Sequence, residues 1–227
     1  MKSLLITATD TGAGKTVLTT ALAAYWQTYA APEKLGVFKP FQSGPGDCEH
    51  YQQVLGLSED RDTITPQYFA APLAPPLAAE QEGRSVDLAA VWRAFTALQT
   101  RKQKVLVEGV GGLGSPITRE LVVADLARDW RLPTLLVVPV KLGAIGQAVA
   151  NVALARHYGV DLRGIVLNLP PDSPEPALAE WAPPDLVSGI TGVPILGILP
   201  ALADPTDRTK LVQAASGLDL EQLGWHG

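Results

Sequence analysis

Thr9-Asp10-Thr11-Gly12-Ala13-Gly14-Lys15-Thr16 stands between a short apolar run, Ser3 to Thr7, and an alanine- and leucine-rich segment, Lys15 to Tyr29. A first strand, a glycine-bearing turn and Gly-Lys-Thr at the start of a helix form the context that a phosphate-binding loop requires. Gly12 and Gly14 let backbone N–H groups turn inward toward a polyphosphate, and the helix N-terminus adds partial positive charge at the same point. Lys15 is then placed to bridge the outer phosphates, and the Thr16 hydroxyl to coordinate magnesium. Thr9 occupies the first glycine position of the usual G-x-x-x-x-G-K-[ST] pattern.

Outward from this loop, short apolar runs recur at Leu35 to Phe38, Lys104 to Val107, Thr134 to Val138, Gly164 to Leu167 and Pro194 to Ile198. They are apolar continuously, as strands of a parallel sheet covered on both faces must be. Helical segments are expected between them, at Lys15 to Tyr29, Val86 to Arg101, Val122 to Arg128 and Gly146 to Tyr158. This alternation predicts an α/β fold with right-handed crossovers: a single-domain, three-layer, P-loop NTPase-like architecture over residues 1–227, its mainly parallel sheet flanked by helices on both faces. Pro66 to Gln81 carries four prolines and is expected to be an ordered loop over the sheet. Pro170 to Pro184 reads as a surface excursion, and no strong pattern follows Asp219.

The 227 residues are 47% hydrophobic and 18% charged, enough apolar material for one sizeable core. A formal net charge of -5 offers no global attraction to nucleic acid or to an anionic membrane. Cys48 is the only cysteine, which excludes an intramolecular disulfide and a cysteine metal cluster and fits a reducing cytoplasm. The apolar N-terminal stretch is too short for a signal-peptide core. Leu132 to Val140, the most apolar later run, falls far short of the ~20 residues needed to cross a bilayer. His50, His157 and His226 are scattered without ligand spacing, and Trp26 and Trp92 are expected to serve packing.

Two more positions follow from the residues themselves. Lys39, after the second strand, is placed to face the same crevice as Lys15, because ligands of open α/β sheets bind beyond the carboxyl ends of the strands. Glu108 ends the Val105-Leu106-Val107 run beside Gly109, Gly111 and Gly112, and a glutamate there without a function is costly. Thr16 with one or two such carboxylates and phosphates suffices for magnesium.

The loop beginning Thr9-Asp10-Thr11 resembles that of the dethiobiotin synthetases, usually written Gly-Thr-Asp-Thr, with Ala8 here at the leading glycine. Four further segments match that family in order: Phe38-Lys39-Pro40 with Ser43-Gly44, Gln81-Glu82-Gly83-Arg84, Val107-Glu108-Gly109-Val110-Gly111-Gly112, and Val138-Pro139-Val140-Lys141-Leu142-Gly143. Together they cover nearly the whole chain. The resemblance implies a cytoplasmic ligase that uses ATP and magnesium to convert 7,8-diaminopelargonic acid and carbon dioxide to dethiobiotin, through a carbamate and a carbamic-phosphoric mixed anhydride. No nucleic acid or membrane partner is implied.

By the same resemblance, Lys39, Lys15 and Thr11 carry the catalytic roles, and Thr11, Lys39 and Ser43 contact the diamine. Gly12, Ala13, Gly14, Lys15, Thr16, Val17, Asp47, Glu108, Gly109, Val110 and Gly111 surround the nucleotide phosphates. Thr16, Asp47 and Glu108 hold the metal. Asn168 with Pro200, Ala201 and Leu202 meets the base, although Leu169 stands where the family has an aspartate and Gly12 where some members carry a glutamate. Lys141, Leu142 and Gly143 reach the substrate of a partner subunit, implying a homodimer. Two other readings stay open on the loop alone. Partitioning and division-site ATPases resemble Lys-Gly-Gly-x-Gly-Lys, with a lysine where this chain has Asp10. Cobyrinate-type synthetases attach a glutaminase domain with a nucleophilic cysteine, which Cys48 without a further domain does not supply.

Overall fold

A computed structural model describes residues 2–225, so His226 lies outside the described part of the chain. Among the described residues eight strands follow one another as β1 (Ser3–Ala8), β2 (Leu35–Phe38), β3 (Phe41–Ser43), β4 (Gln67–Phe69), β5 (Lys104–Glu108), β6 (Thr134–Pro139), β7 (Leu162–Asn168) and β8 (Ile195–Leu199). Six of them form one sheet in the order β2-β5-β1-β6-β7-β8, and every pairing is parallel. The helices are α1 (Lys15–Tyr29), α2 (Asp47–Leu55), α3 (Arg61–Ile64), α4 (Pro75–Gln81), α5 (Leu88–Arg101), α6 (Val123–Asp129), α7 (Ala144–Tyr158), α8 (Ala177–Trp181), α9 (Pro184–Thr191), α10 (Arg208–Ser216) and α11 (Leu220–Leu223).

Strand side chains alternate between faces, so each buried strand feeds two cores. Leu4 and Ile6 of β1 point to a layer with Leu18 and Leu22 of α1 and Leu211 of α10. Leu5 points the other way, with Val91 and Phe95 of α5 and Val123 of α6. On that second face, Leu136 and Val138 of β6 meet Ala148 and Val152 of α7 and Val187 of α9. The result is the three-layer α/β arrangement expected from the continuous apolar runs.

Three segments correct the sequence reading. Pro66 to Gln81 is not a plain loop: it contains β4, paired with β3 in a separate parallel ladder, and α4. Pro75 and Pro76 occupy the first positions of α4, where a missing N–H costs nothing because the helix has no partner for it there. The excursion Pro170 to Pro184 contains α8, with Ala177 and Ala182 fully buried. Beyond Asp219 the chain forms α11, and Trp225 is buried against Trp26 at a ring separation of 5.6 Å. At helix starts, Asp87 caps α5 by accepting from Ala90 N–H, so that helix begins two residues later than the sequence pattern suggests.

Candidate active site

The sheet order β2-β5-β1 sets three strand ends side by side. Lys39 follows β2, Glu108 ends β5, and Thr9 to Thr16 follows β1, so residues far apart in sequence open into one crevice of about 550 Å³. Thr11, Gly12, Gly14, Lys15, Thr16, Val17, Lys39, Ser43, Asp47, Glu108, Val110 and Gly111 all line it.

The loop geometry follows from its glycines. Gly14 sits at φ 98, a left-handed conformation, and a Cβ there would lie 2.3 Å from Asn168 Nδ2. Asn168 donates from that Nδ2 to the Ala13 carbonyl at 2.9 Å, tying the end of β7 to the loop. Gly112 passes so close to the loop that a Cβ would stand 2.9 Å from the Thr9 carbonyl oxygen. α1 then starts with no side-chain cap and no acidic residue in its first turn. Its first N–H groups therefore remain available to an anion.

The charges converge behind this helix start. Lys39, 3% exposed, places Nζ 2.6 Å from Asp47 Oδ2 and 2.5 Å from Glu108 Oε1. Thr16 Oγ1 lies 3.0 Å from both Asp47 Oδ1 and Glu108 Oε1. The Tyr51 hydroxyl donates to Glu108 Oε2. Burial works against the charge on Lys39, but Glu108 and Asp47 outweigh it and hold its pKa above the ordinary lysine value. Burial likewise pushes the Asp47 carboxyl up, and Lys39 with its hydrogen bond outweighs that and brings it below the usual range. Lys15 lacks so close a partner: burial lowers its pKa to about 8, with the Glu108 charge opposing.

Thr16, Asp47 and Glu108 present hard oxygens within a few ångströms of one another, and no group of three or more His, Cys, Asp or Glu gathers for a metal among the described residues. That donor set suits magnesium, which takes one or two carboxylates and completes its octahedron with waters and phosphate oxygens. Asp47 reaches the cluster because the turn before α2 is braced. Gln42 accepts from Cys48 N–H at 3.0 Å and donates to the Gly44 carbonyl at 3.1 Å. The Ser43 hydroxyl oxygen is buried in the crevice wall and has no hydrogen-bond partner among the described residues.

Other expected residues lie elsewhere. Pro200, Ala201 and Leu202 line a second cavity of about 530 Å³ with Asp204 and Lys210, not the phosphate crevice. They are reached from Asn168 across the β7–β8 pairing, where Asn168 stands opposite Leu199. Gly109 is not among the crevice-lining residues, but its carbonyl accepts from Lys39 Nζ at 3.4 Å. Lys141 approaches Asp10 Oδ2 at 3.7 Å, Leu142 is 83% exposed, and Gly143 precedes α7 at φ 91. These three stand on the surface, away from the crevice lining. The sequence reading overlooked Tyr51, Gln42 and the apolar wall of Pro72, Leu73 and Pro75. Tyr51 lies four residues after Asp47 and so on the same helical face, but only the fold brings that face against Glu108.

Comparison with known proteins points one way. The family described as an AAA domain matches residues 2–209. A protein of Gloeothece citriformis named ATP-dependent dethiobiotin synthetase is 55% identical over 223 residues, 98% of this chain and 99% of that one. A protein of the same name from Crocosphaera subtropica is 53% identical over 223 residues, covering 98% of this chain and 100% of its own. Among solved structures, the cell division protein MinD of Aquifex aeolicus superposes with a TM-score of 0.60 at 15% identity, covering 99% of this chain and 98% of that one, a likeness of fold alone.

Proposed function

The chain belongs to the ATP-dependent dethiobiotin synthetase family and is an ATP-dependent ligase of biotin biosynthesis, and from that premise we propose how its crevice closes the ring. The substrates are 7,8-diaminopelargonic acid, carbon dioxide and ATP. One amine takes up carbon dioxide as a carbamate. A carbamate oxygen attacks the γ-phosphorus of ATP, ADP leaves, and a mixed anhydride forms. The second amine attacks the anhydride carbon, phosphate leaves, and the cyclic urea is complete.

The convergence of Lys39 on Asp47 and Glu108, beside the uncapped start of α1, carries this reading. Lys39 is the catalytic cation. Its charge is secured by two carboxylates, so it can hold the carbamate and the transferring phosphoryl oxygens as negative charge grows. Lys15 and the N–H groups of Gly12, Ala13, Gly14, Thr16 and Val17 hold the phosphates, with Gly109, Val110 and Gly111 on the facing wall. Thr11 and the unpartnered hydroxyl of Ser43 hydrogen-bond the carbamate or an amine. Thr16, Asp47 and Glu108 hold magnesium, which when bound neutralises phosphate charge. Asn168 and the Pro200-Ala201-Leu202 segment receive the base.

The whole of 1–227 works as one such domain, in the cytoplasm, where a buried Cys48 thiol stays reduced. It acts as a homodimer in which Lys141, Leu142 and Gly143 reach the partner's substrate. The exposed Leu142 before α7 and Val149 on its outer side support that arrangement. No helix among the described residues is long and apolar enough to cross a membrane, and no nucleic acid takes part.

The test is direct. Purified protein with diaminopelargonate, bicarbonate, magnesium and each common nucleoside triphosphate in turn should give dethiobiotin, followed by mass, with ATP. Lys39→Ala should lower turnover by roughly 10²-fold or more while ATP still binds. Near-normal product from that variant removes Lys39 from the catalytic role.

A further inference from the structure

Glu108 is a fully buried carboxylate with both oxygens engaged. Its Oε1 faces the crevice, 2.5 Å from Lys39 Nζ and 3.0 Å from Thr16 Oγ1. Its Oε2 points back into the protein and accepts from the Tyr51 hydroxyl. Tyr51 is itself fully buried, and its ring packs in the core between α1 and α2. A phenol in that position needs a partner for its hydroxyl, and the described residues give it one, the inner oxygen of Glu108.

The helix explains the pairing. Asp47 and Tyr51 are one turn apart on α2, so one face of a short helix delivers a carboxylate to Lys39 and a phenol to Glu108. With Oε2 held, the carboxylate plane cannot rotate freely, and Oε1 is the oxygen left to the crevice. We propose that Tyr51 is a positioning residue that fixes Glu108 so that its crevice-facing oxygen is the one offered to magnesium, and that metal affinity depends on a phenol that never touches metal or substrate.

This rests on the assignment of Glu108 to the metal site, and the experiment separates the two. Metal affinity is measured on wild type, Tyr51→Phe and Glu108→Gln by manganese electron paramagnetic resonance in the presence of ADP. Circular dichroism and thermal melting are run alongside, and the magnesium dependence of turnover is fitted separately for half-saturation and maximal rate. Tyr51→Phe keeps the ring and its packing, so a merely structural role predicts unchanged manganese affinity. We expect Tyr51→Phe to weaken manganese binding about tenfold or more. The magnesium half-saturation should rise in parallel, with the maximal rate at saturating metal changed far less. Glu108→Gln should weaken the metal at least as much. If Glu108→Gln weakens it and Tyr51→Phe stays within twofold of wild type, the positioning role is overturned and the metal assignment stands. If neither variant changes metal affinity, Glu108 is not a ligand and both fall.

Discussion

Lys15 and Lys39 share one crevice but differ in what balances them. Lys39 is ion-paired twice, whereas Lys15 donates to the Asp10 carbonyl at 3.2 Å and has no ion pair among the described residues. Burial therefore leaves the Lys15 pKa near 8, against 10.5 ordinarily. A lysine whose folded pKa is depressed opposes folding most fully below that pKa, and the penalty fades as pH rises toward the unfolded value. The separation corresponds to about 3 kcal/mol. In ligand-free protein at pH 7, Lys15→Met should thus raise unfolding free energy by roughly 2–3 kcal/mol while abolishing turnover. It should also flatten the rise in stability expected of wild type between pH 8 and 10.5. Urea denaturation at pH 7 and pH 10 reads both, and a variant no more stable than wild type at pH 7 contradicts the account. At this scale the sequence marked Lys15, Lys39 and Glu108 because each sits at a strand or helix end. It did not reveal Tyr51, whose function is visible only once α2 is laid beside β5.

Short elements owe their positions to caps and neighbours more than to their own propensity. α10 packs along α1, the helix whose N-terminus faces the crevice, and Leu211 and Ala215 lie in the same core as Leu18 and Leu22. Asp207 starts α10 by accepting from the backbone N–H of Thr209 and Lys210 at 2.9 and 3.1 Å. Asp207→Ala should cost about 1 kcal/mol of stability. Chemical denaturation would show it, and a loss below a few tenths would mean that packing against α1 alone holds the helix. The same logic explains where element reading failed. In Pro66 to Gln81 the proline count argued against a helix, yet Pro75 and Pro76 sit at its first turn, where proline is tolerated. α11 and Trp225 showed no periodicity because four residues are too few to display one; their burial comes from contact with Trp26.

Across the whole molecule, α7 carries the clearest surface signal. Its inner side packs Ala148, Val152 and Ala155 against the sheet layers, while Val149 on its outer side is 38% exposed and Leu142 before it 83%. Gly146, Ala150 and Ala153 are exposed between and beyond them, so the helix is apolar on both sides, a pattern of helices covered from both directions. A two-fold contact through this face is the expected dimer interface. Val149→Lys should shift sedimentation from dimer to monomer and lower turnover with it. Unchanged sedimentation of the variant as a dimer would move the interface elsewhere, and a fully active wild-type monomer would remove the shared site.

Residue pattern alone dictates that this chain builds a parallel sheet around a phosphate loop. Continuous apolar runs can be buried only between two layers, and Gly-Lys-Thr between a strand and a helix leaves backbone donors free for phosphate. Which residues meet there is set by the packing of the whole fold. The order β2-β5-β1 brings Lys39, Glu108 and the loop together across gaps of many residues, and α2 folds back to add Asp47 and Tyr51. Local pattern reports what each segment prefers, but a charge cluster depends on strand order and helix placement, which are set by how all the segments share one core.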